Sequence, residues 1–142
     1  MTTGCVYCDG EGGLRLWRDA RCRVVLADEP FRGFCRVIWN AHVREMTDLT
    51  AANRAHFMHV VYAVESALRA RLTPAKMNLA SLGNAVPHLH WHVIPRFAGD
   101  THFPQPVWGP RQRESVPDPL PDDFVTSLAG DLAAMLGATQ AG

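Results

Sequence analysis

Three histidines alternate with apolar residues in the segment GNAVPHLHWHVIPRF, which spans positions 83–97. They are His88, His90 and His92, and the whole chain contains seven histidines. Side chains two apart on a β-strand point to the same face. The spacing therefore predicts a row of imidazoles on one strand face, with the intervening apolar residues buried on the other. Threonine, lysine or glutamate would serve a merely solvated face as well, so the pattern favours a chemical role.

Two kinds of chemistry suit such a row of imidazoles. Histidines on a strand can chelate a zinc ion that activates water, which also needs a third protein ligand and an open coordination position. Alternatively, one imidazole is a nucleophile and its neighbours orient it. Imidazole has a reference pKa of about 6.5, so a free ring nitrogen can attack phosphorus at neutral pH without a separate base. We favour this second interpretation, because Gly83 and Asn84 directly before the triad can supply donors to phosphate oxygens.

A second candidate cluster begins with Cys5 and Cys8, which form a CxxC pair in CVYC near the start of the chain. The spacing suits two thiolate ligands of one zinc ion, although a redox pair or two unrelated thiols would give the same pattern. Cys22 and Cys35 lie in apolar strand segments, where core thiols are expected. His56 is expected to be a solvated helix residue.

The elements that must position these residues follow from hydrophobic periodicity. Apolar and β-branched segments predict strands over 14–19, 22–30, 34–40, 76–82 and 88–95. Apolar residues at intervals of three and four predict a long helix from Thr50 to about Leu72, with Asp48 or Thr50 as its cap. Proline-rich residues 98–121 predict a loop, in which Trp108 could cover a base or a neighbouring subunit. A short amphipathic helix is expected over 124–135, and the whole pattern predicts an α+β fold with a mainly antiparallel sheet.

The composition indicates one globular domain. The chain has 142 residues, 47% of them hydrophobic and 20% charged, and its 14 basic residues balance 14 acidic ones. This balance gives no electrostatic case for binding a nucleic acid polymer or an anionic membrane. The sequence has no long apolar run of the kind that spans a bilayer and no recognisable secretory signal, so we expect a cytoplasmic protein with reduced thiols.

The stretch PHLHWHVIPR resembles the signature of the histidine triad (HIT) family, in which His-x-His-x-His is followed by apolar residues. The resemblance extends to the order of the strands and the long helix, to CVYC, and to GFCRVIWNAHV before the helix. It implies a HIT domain over residues 1–110 with the CxxC segment at its start. Residues 111–142 would then form a C-terminal loop and helix on the same domain. The resemblance also implies a homodimer in which the sheet extends across both chains.

The HIT resemblance implies roles for individual residues. The central histidine of the motif is the family's nucleophile, so the covalent nucleotidyl-histidine is expected on His90. His92 would contact the scissile phosphate and help manage the leaving group. Matching positions imply further contacts with the substrate, by Asp28, Asn78, Gly83 and Asn84.

Some HIT relatives also carry a structural zinc ion. Its ligands are the CxxC pair, a histidine after the third strand and the first triad histidine. The corresponding residues here are Cys5, Cys8, His42 and His88. The resemblance thus implies a structural zinc ion that pins the N-terminal segment, with no metal required for the chemistry.

The HIT resemblance implies a hydrolase or transferase similar to the diadenosine polyphosphate hydrolases. It would cleave at the α-phosphate of a dinucleoside polyphosphate, such as diadenosine tetraphosphate, or of a nucleoside phosphoramidate. A zinc-dependent hydrolase with triad ligands stays open as an alternative. A nucleotide-binding protein with little turnover is the other, because Phe34 and Ala85 stand where many relatives carry histidine and Ser or Thr.

Overall fold

Segments rich in β-branched and apolar residues form five antiparallel strands in the computed structural model, which describes residues 4–141. The strands are β1 (Leu14–Arg18), β2 (Cys22–Leu26), β3 (Cys35–Trp39), β4 (Lys76–Ala80) and β5 (His90–Arg96). Their order across the sheet is β1-β2-β3-β5-β4, so the histidine-bearing β5 lies between β3 and β4. All four strand pairings are antiparallel. The predicted α+β fold with an antiparallel sheet is confirmed.

The hydrophobic core lies between one face of this sheet and two helices. These are α2 (Ala51–Leu72) and α3 (Phe124–Leu136). Of the two predicted cap residues, Thr50 caps α2: its hydroxyl accepts a hydrogen bond from the Asn53 amide at 3.2 Å. Cys22 and Cys35 are fully buried in this core, which agrees with their expected role as core thiols. No helix within residues 4–141 combines the length and apolar character that a membrane span needs.

The C-terminal helix is attached to the sheet and to α2 by specific contacts. The Trp17 indole N–H donates to the Gly137 carbonyl at 2.9 Å. Arg71 on α2 forms a two-point ion pair with Asp131 on α3, at 2.7 and 2.9 Å. The segment 98–121 contains neither helix nor strand, as its prolines predict.

The opposite face of the sheet is covered near β2 and β3 by a short N-terminal helix, α1 (Val6–Asp9). Buried Arg23 on β2 holds this segment by donating to the Tyr7 carbonyl at 2.7 Å and the Glu11 carbonyl at 2.9 Å. The Tyr7 side chain packs with Val25 and Ile38. As a result, the CxxC segment lies on the sheet face that carries His90 and His92.

The structure corrects the predicted start of the histidine strand. β5 begins at His90, and His88 lies in the preceding segment, where its amide donates to the Val86 carbonyl at 2.8 Å rather than to a neighbouring strand. The three imidazoles therefore do not form one strand row. Trp91, expected to be buried, is half-buried, and its indole N–H contacts the Met46 sulfur at 3.4 Å.

Candidate functional site

His90 is buried at the beginning of β5 with one ring nitrogen already engaged. Its Nδ1 lies 2.6 Å from the His88 carbonyl oxygen, so the Nδ1 proton donates to that carbonyl and Nε2 carries the lone pair. Burial lowers the pKa of His90, while the hydrogen bond to His88 opposes that shift. The Tyr7 ring packs edge-on at 4.9 Å between centroids. This arrangement holds a neutral imidazole with a free nitrogen.

His92 is the next residue on the same face of β5 and has the opposite ring assignment. The Arg36 Nε–H donates to His92 Nδ1 at 3.2 Å, so the ring proton belongs on Nε2. Burial, followed by the nearby His90 and Arg36, lowers the pKa of His92 to about 3. The centroids of the His90 and His92 rings are 4.8 Å apart. His92 is thus a neutral hydrogen-bond donor beside the free nitrogen of His90.

These two histidines open into a cavity of about 400 Å³. Its walls are formed by residues 82–86 and by the side chains of Tyr7, Arg36, His90, His92 and Trp108. Gly83 has a φ of 76°, in the left-handed region that favours glycine, which lets the loop turn beside the histidines. The cavity therefore combines a free imidazole nitrogen with a glycine–amide loop, an arrangement that can hold a phosphate group next to a nucleophile.

The predicted substrate-binding residues fall into two groups in the structure. Gly83 and Asn84 line the cavity with the histidines. Asp28 is exposed two residues beyond the end of β2 and does not line the cavity. Asn78 is also outside the cavity wall, because β4 pairs it with Ile94, two residues beyond His92. Its side-chain oxygen instead accepts a hydrogen bond from the Arg96 guanidinium at 2.9 Å.

A separate cluster brings together all four predicted zinc ligands. The sulfur and Nδ1 atoms of Cys5, Cys8, His42 and His88 lie within 4.8 Å of one another. The Nδ1 atoms of His42 and His88 are 3.3 Å apart, and the Cys8 sulfur lies 3.3 Å from His42 Nδ1 and 3.5 Å from His88 Nδ1. A tetrahedral zinc ion with ordinary bond lengths holds such ligand atoms about 3.3 to 3.8 Å apart.

The orientation of His88 also suits metal binding. Its Nε2 lies 2.6 Å from the Trp39 carbonyl oxygen, so Nε2–H donates there and the Nδ1 lone pair faces the cluster. This outer hydrogen bond is typical of metal-ligating histidines. The cluster is therefore compatible with a structural zinc ion, which would supply a cross-link between the N-terminal segment and the approach to β5.

Outside the loop of residues 82–86, three side chains that line the cavity are not among the site residues predicted from the sequence. Tyr7 lies inside the CxxC, and Arg36 alternates with buried apolar residues on β3. For Trp108, the sequence predicts a role in covering either a base or a neighbouring subunit. Its ring packs on His92 of the same chain at 4.9 Å between centroids. No local pattern in the sequence marks Arg36, because its place opposite His92 depends on the register between β3 and β5.

The expectation that His56 is a solvated helix residue is wrong. It is partly buried, and its Nε2 lies 2.6 Å from a carboxylate oxygen of Asp19. Asp19 also accepts the amide protons of Arg21 and Cys22 in the turn between β1 and β2. His56 thus joins α2 to that turn, a contact that requires the tertiary arrangement.

Comparisons with known proteins identify the family to which this fold belongs. The family model described as HIT domain matches residues 14–99. A search of curated proteins by sequence found no match. Among solved structures, a histidine triad protein from Bradyrhizobium japonicum is similar, with a TM-score of 0.70 and 26% identity over 89% of this chain and 92% of that one.

Two further solved structures are similar over most of their length. A histidine triad protein from Marinobacter aquaeolei has a TM-score of 0.68 and 27% identity, over 89% of this chain and 90% of that chain. A zinc-bound histidine triad family protein from Mycobacterium smegmatis has a TM-score of 0.66 and 26% identity, over 93% of this chain and 95% of that chain. With the HIT model matching more than half of the sequence, this chain belongs to the histidine triad (HIT) family.

Proposed function

We propose that this protein is a nucleotidyl hydrolase or transferase that acts at the α-phosphate of a dinucleoside polyphosphate or a nucleoside phosphoramidate. Membership of the HIT family supports nucleotide binding or nucleotide hydrolase and transferase chemistry. The observation that carries the proposal is His90, whose Nδ1 proton is held by the His88 carbonyl while Nε2 remains free in the cavity. Gly83 and Asn84 on the adjacent wall would donate to the phosphate oxygens.

The proposed reaction has two displacement steps at phosphorus. His90 Nε2 attacks the α-phosphorus, a nitrogen–phosphorus bond forms, and the bond from phosphorus to the leaving group breaks. Water then attacks the same phosphorus and the nitrogen–phosphorus bond breaks, which releases a nucleoside monophosphate and one proton and restores His90. His92 Nε2–H would donate to the phosphate or the leaving group. In a transferase, another acceptor replaces water.

The principal test is His90→Asn, which removes the nucleophilic nitrogen while keeping a polar side chain. Turnover should fall on the order of 10³-fold or more, because the covalent step has no other nucleophile. Nucleotide binding measured by calorimetry should persist. Intact-mass spectrometry of the quenched wild-type reaction should detect one nucleotidyl group per chain, and this adduct should be missing from the variant.

A matched control is His59→Asn, since His59 is an exposed histidine on α2 away from the cavity. It should keep the wild-type rate. If His90→Asn also kept that rate on every substrate that the wild type cleaves, the covalent mechanism would be rejected. Adduct formation without steady-state release of product would instead identify a nucleotide-binding protein with little turnover.

The alternative of a zinc-dependent hydrolase has less support. Within residues 4–141, the groups of side chains that could hold a metal contain neither His90 nor His92. The Nδ1 atoms of both residues are also engaged, by the His88 carbonyl and by Arg36. Zinc bound between His90 and His92, located by anomalous scattering, would reverse this preference.

The proposal also covers a structural zinc ion, the oligomeric state and the cellular location. We propose that Cys5, Cys8, His42 and His88 bind one structural zinc ion, supported by their ligand spacing.

The protein would act as a homodimer on a small nucleotide, without a nucleic acid polymer or membrane as partner. Buried thiols such as Cys22 and Cys35 are typical of a reducing compartment, which supports a cytoplasmic location.

A further inference from the structure

We propose that Arg36 determines substrate class by contacting the phosphate of the leaving group, so that the site prefers dinucleoside polyphosphates over nucleoside phosphoramidates. This inference rests on the proposed function and assigns a role to a residue outside the triad. It follows from the position of Arg36, from its hydrogen bonds and from the different charges of the two leaving groups.

Arg36 lies on β3 directly opposite His92 and diagonal to His90, which pairs with Ile38. Residues in these positions on one sheet face lie within reach of each other's side chains. The Arg36 Nε–H donates to His92 Nδ1 at 3.2 Å, and the guanidinium lines the same cavity as both histidines. Arg36 is therefore next to the residue proposed to manage the leaving group.

The guanidinium is held in place but keeps donor capacity. Arg36 Nη2 donates to the partly exposed carboxylate of Glu29 in an ion pair of 2.9 Å, and its guanidinium carbon lies 5.0 Å from the Phe34 ring centroid. Its Nη1 makes no hydrogen bond with the part of the chain that the structure describes. A pre-positioned guanidinium with an available N–H is well suited to a phosphate oxygen.

Arg36 is also the source of positive charge at this cavity. Among the described residues that line the cavity, it is the one with a permanently charged cationic side chain. His92 is held neutral by burial, because its pKa lies at about 3. His92 can thus donate a hydrogen bond, while the countercharge for an anionic group comes from Arg36.

The two candidate substrate classes differ in what leaves the α-phosphorus. A dinucleoside polyphosphate releases a nucleotide whose new terminal phosphate gains negative charge as the phosphorus–oxygen bond breaks. A phosphoramidate releases an amine, which takes up a proton and gains no negative charge. A cation beside the leaving group stabilises the transition state of the first reaction and offers little to the second.

The experiment compares kcat/KM for diadenosine tetraphosphate and for adenosine phosphoramidate in the wild type, Arg36→Gln and Arg36→Lys. Arg36→Gln should lower the value for the tetraphosphate about 10- to 100-fold, the range expected for losing a charged hydrogen bond. The phosphoramidate value should fall by a much smaller factor, because that substrate loses only the Arg36 hydrogen bond that orients His92 and no charged contact to its leaving group. Arg36→Lys keeps the charge and should recover part of the tetraphosphate activity.

Arg71→Gln is the matched control, because it removes the same charge from the distant ion pair with Asp131. It should leave the ratio of the two kcat/KM values unchanged. An equal loss on both substrates in Arg36→Gln would show that Arg36 only supports His92, and would overturn the inference. The same result would leave the covalent mechanism intact, provided that His90→Asn still abolishes the adduct.

A binding measurement tests the inference independently of turnover. Calorimetry on the His90→Asn protein can compare adenosine diphosphate, which carries a phosphate beyond the α-position, with adenosine monophosphate. Adding Arg36→Gln should weaken the diphosphate about 10-fold or more and leave the monophosphate within about 3-fold. Equal weakening of both nucleotides would contradict the role assigned to Arg36.

Discussion

His92 is a buried imidazole whose neutral state is part of the folded structure. Its side chain packs against His90, Phe34 and Trp108 and accepts a hydrogen bond from Arg36. Protonation would place a second positive charge beside the guanidinium in a poorly hydrated environment. The native protein therefore resists protonating His92 until the pH approaches about 3, whereas an unfolded chain protonates it near the ordinary value of 6.5.

This difference predicts an acid-dependent loss of stability. Below pH 6.5 the unfolded state binds a proton that native His92 does not, so the free energy of unfolding falls as the pH falls towards 3. Above pH 6.5, His92 is neutral in both the folded and the unfolded chain, so no stability is lost through its protonation. Between pH 7.5 and 5, the free energy of unfolding measured by urea denaturation should fall about 1 to 2 kcal/mol more in the wild type than in His92→Asn.

The comparison isolates His92 because the other titrating groups remain in both proteins. His88 and His90 also have lowered pKa values through burial, and they contribute to both curves. His59→Asn serves as the control, since it replaces an exposed histidine on α2 that lies away from the cavity. Parallel curves for the wild type and His92→Asn would show that native His92 titrates like a solvated imidazole.

At the scale of elements, α1 connects the candidate metal cluster to the cavity lined by His90 and His92. Cys5 and Cys8 flank Tyr7 in sequence, and the Tyr7 ring packs on His90. The buried guanidinium of Arg23 fixes the same segment through the Tyr7 and Gly10 carbonyls. A zinc ion held by the cysteines would thus hold the Tyr7 wall of the cavity as well as His88.

Zinc removal should therefore loosen α1 specifically. The purified protein should contain one zinc ion per chain, and a strong chelator should lower the unfolding temperature. Amide hydrogen exchange over residues 5–9 should accelerate in the zinc-free protein, while exchange in α2 changes less, because metal ligation stabilises the segments that it joins.

His42→Ala provides the variant for this test, because His42 is the exposed ligand and its truncation removes little core packing. It should lower the zinc affinity about 10-fold or more, since one of four ligands is lost. His59→Ala, at an exposed position outside the cluster, should retain full zinc content. Equal zinc content in both variants would argue against the assigned ligand set.

At the scale of the whole molecule, the two edges of the sheet differ. The outer edge of β1 is engaged at Arg18, which donates to the Thr139 hydroxyl and accepts from the Gln140 amide. β4 forms the other edge and pairs with β5 on one side. An edge strand offers backbone groups to a second chain. β4 is accordingly the edge through which a sheet-extending homodimer would form.

Light scattering coupled to size exclusion should give twice the chain mass of 15.7 kDa. Dilution that dissociates the dimer should accelerate amide exchange in β4, because its backbone then becomes accessible, and leave β1 unchanged. Removal of residues 139–142 should preserve the dimer, since Thr139 and Gln140 contact the opposite edge of the sheet at Arg18. A monomeric mass at all concentrations would refute the assembly.

The sequence by itself determined the regular elements and the candidate chemistry. The alternation of apolar and polar residues and the spacing of apolar residues by three and four are local properties. They predicted the strands and the helix that Thr50 caps, and the prolines predicted the loop over 98–121. Histidine spacing singled out His90 and His92 as candidates, and the resemblance to the HIT family supplied the zinc ligand set.

Only the tertiary structure decided which side chains surround the histidines. Strand register brings Arg36 opposite His92, and packing of α1 brings Tyr7 onto His90. The same register carries Asn78 away from the cavity, a displacement that residue type cannot reveal. Burial then sets the charge of His92. These properties depend on contacts between segments far apart in the chain, and local sequence patterns do not encode such contacts.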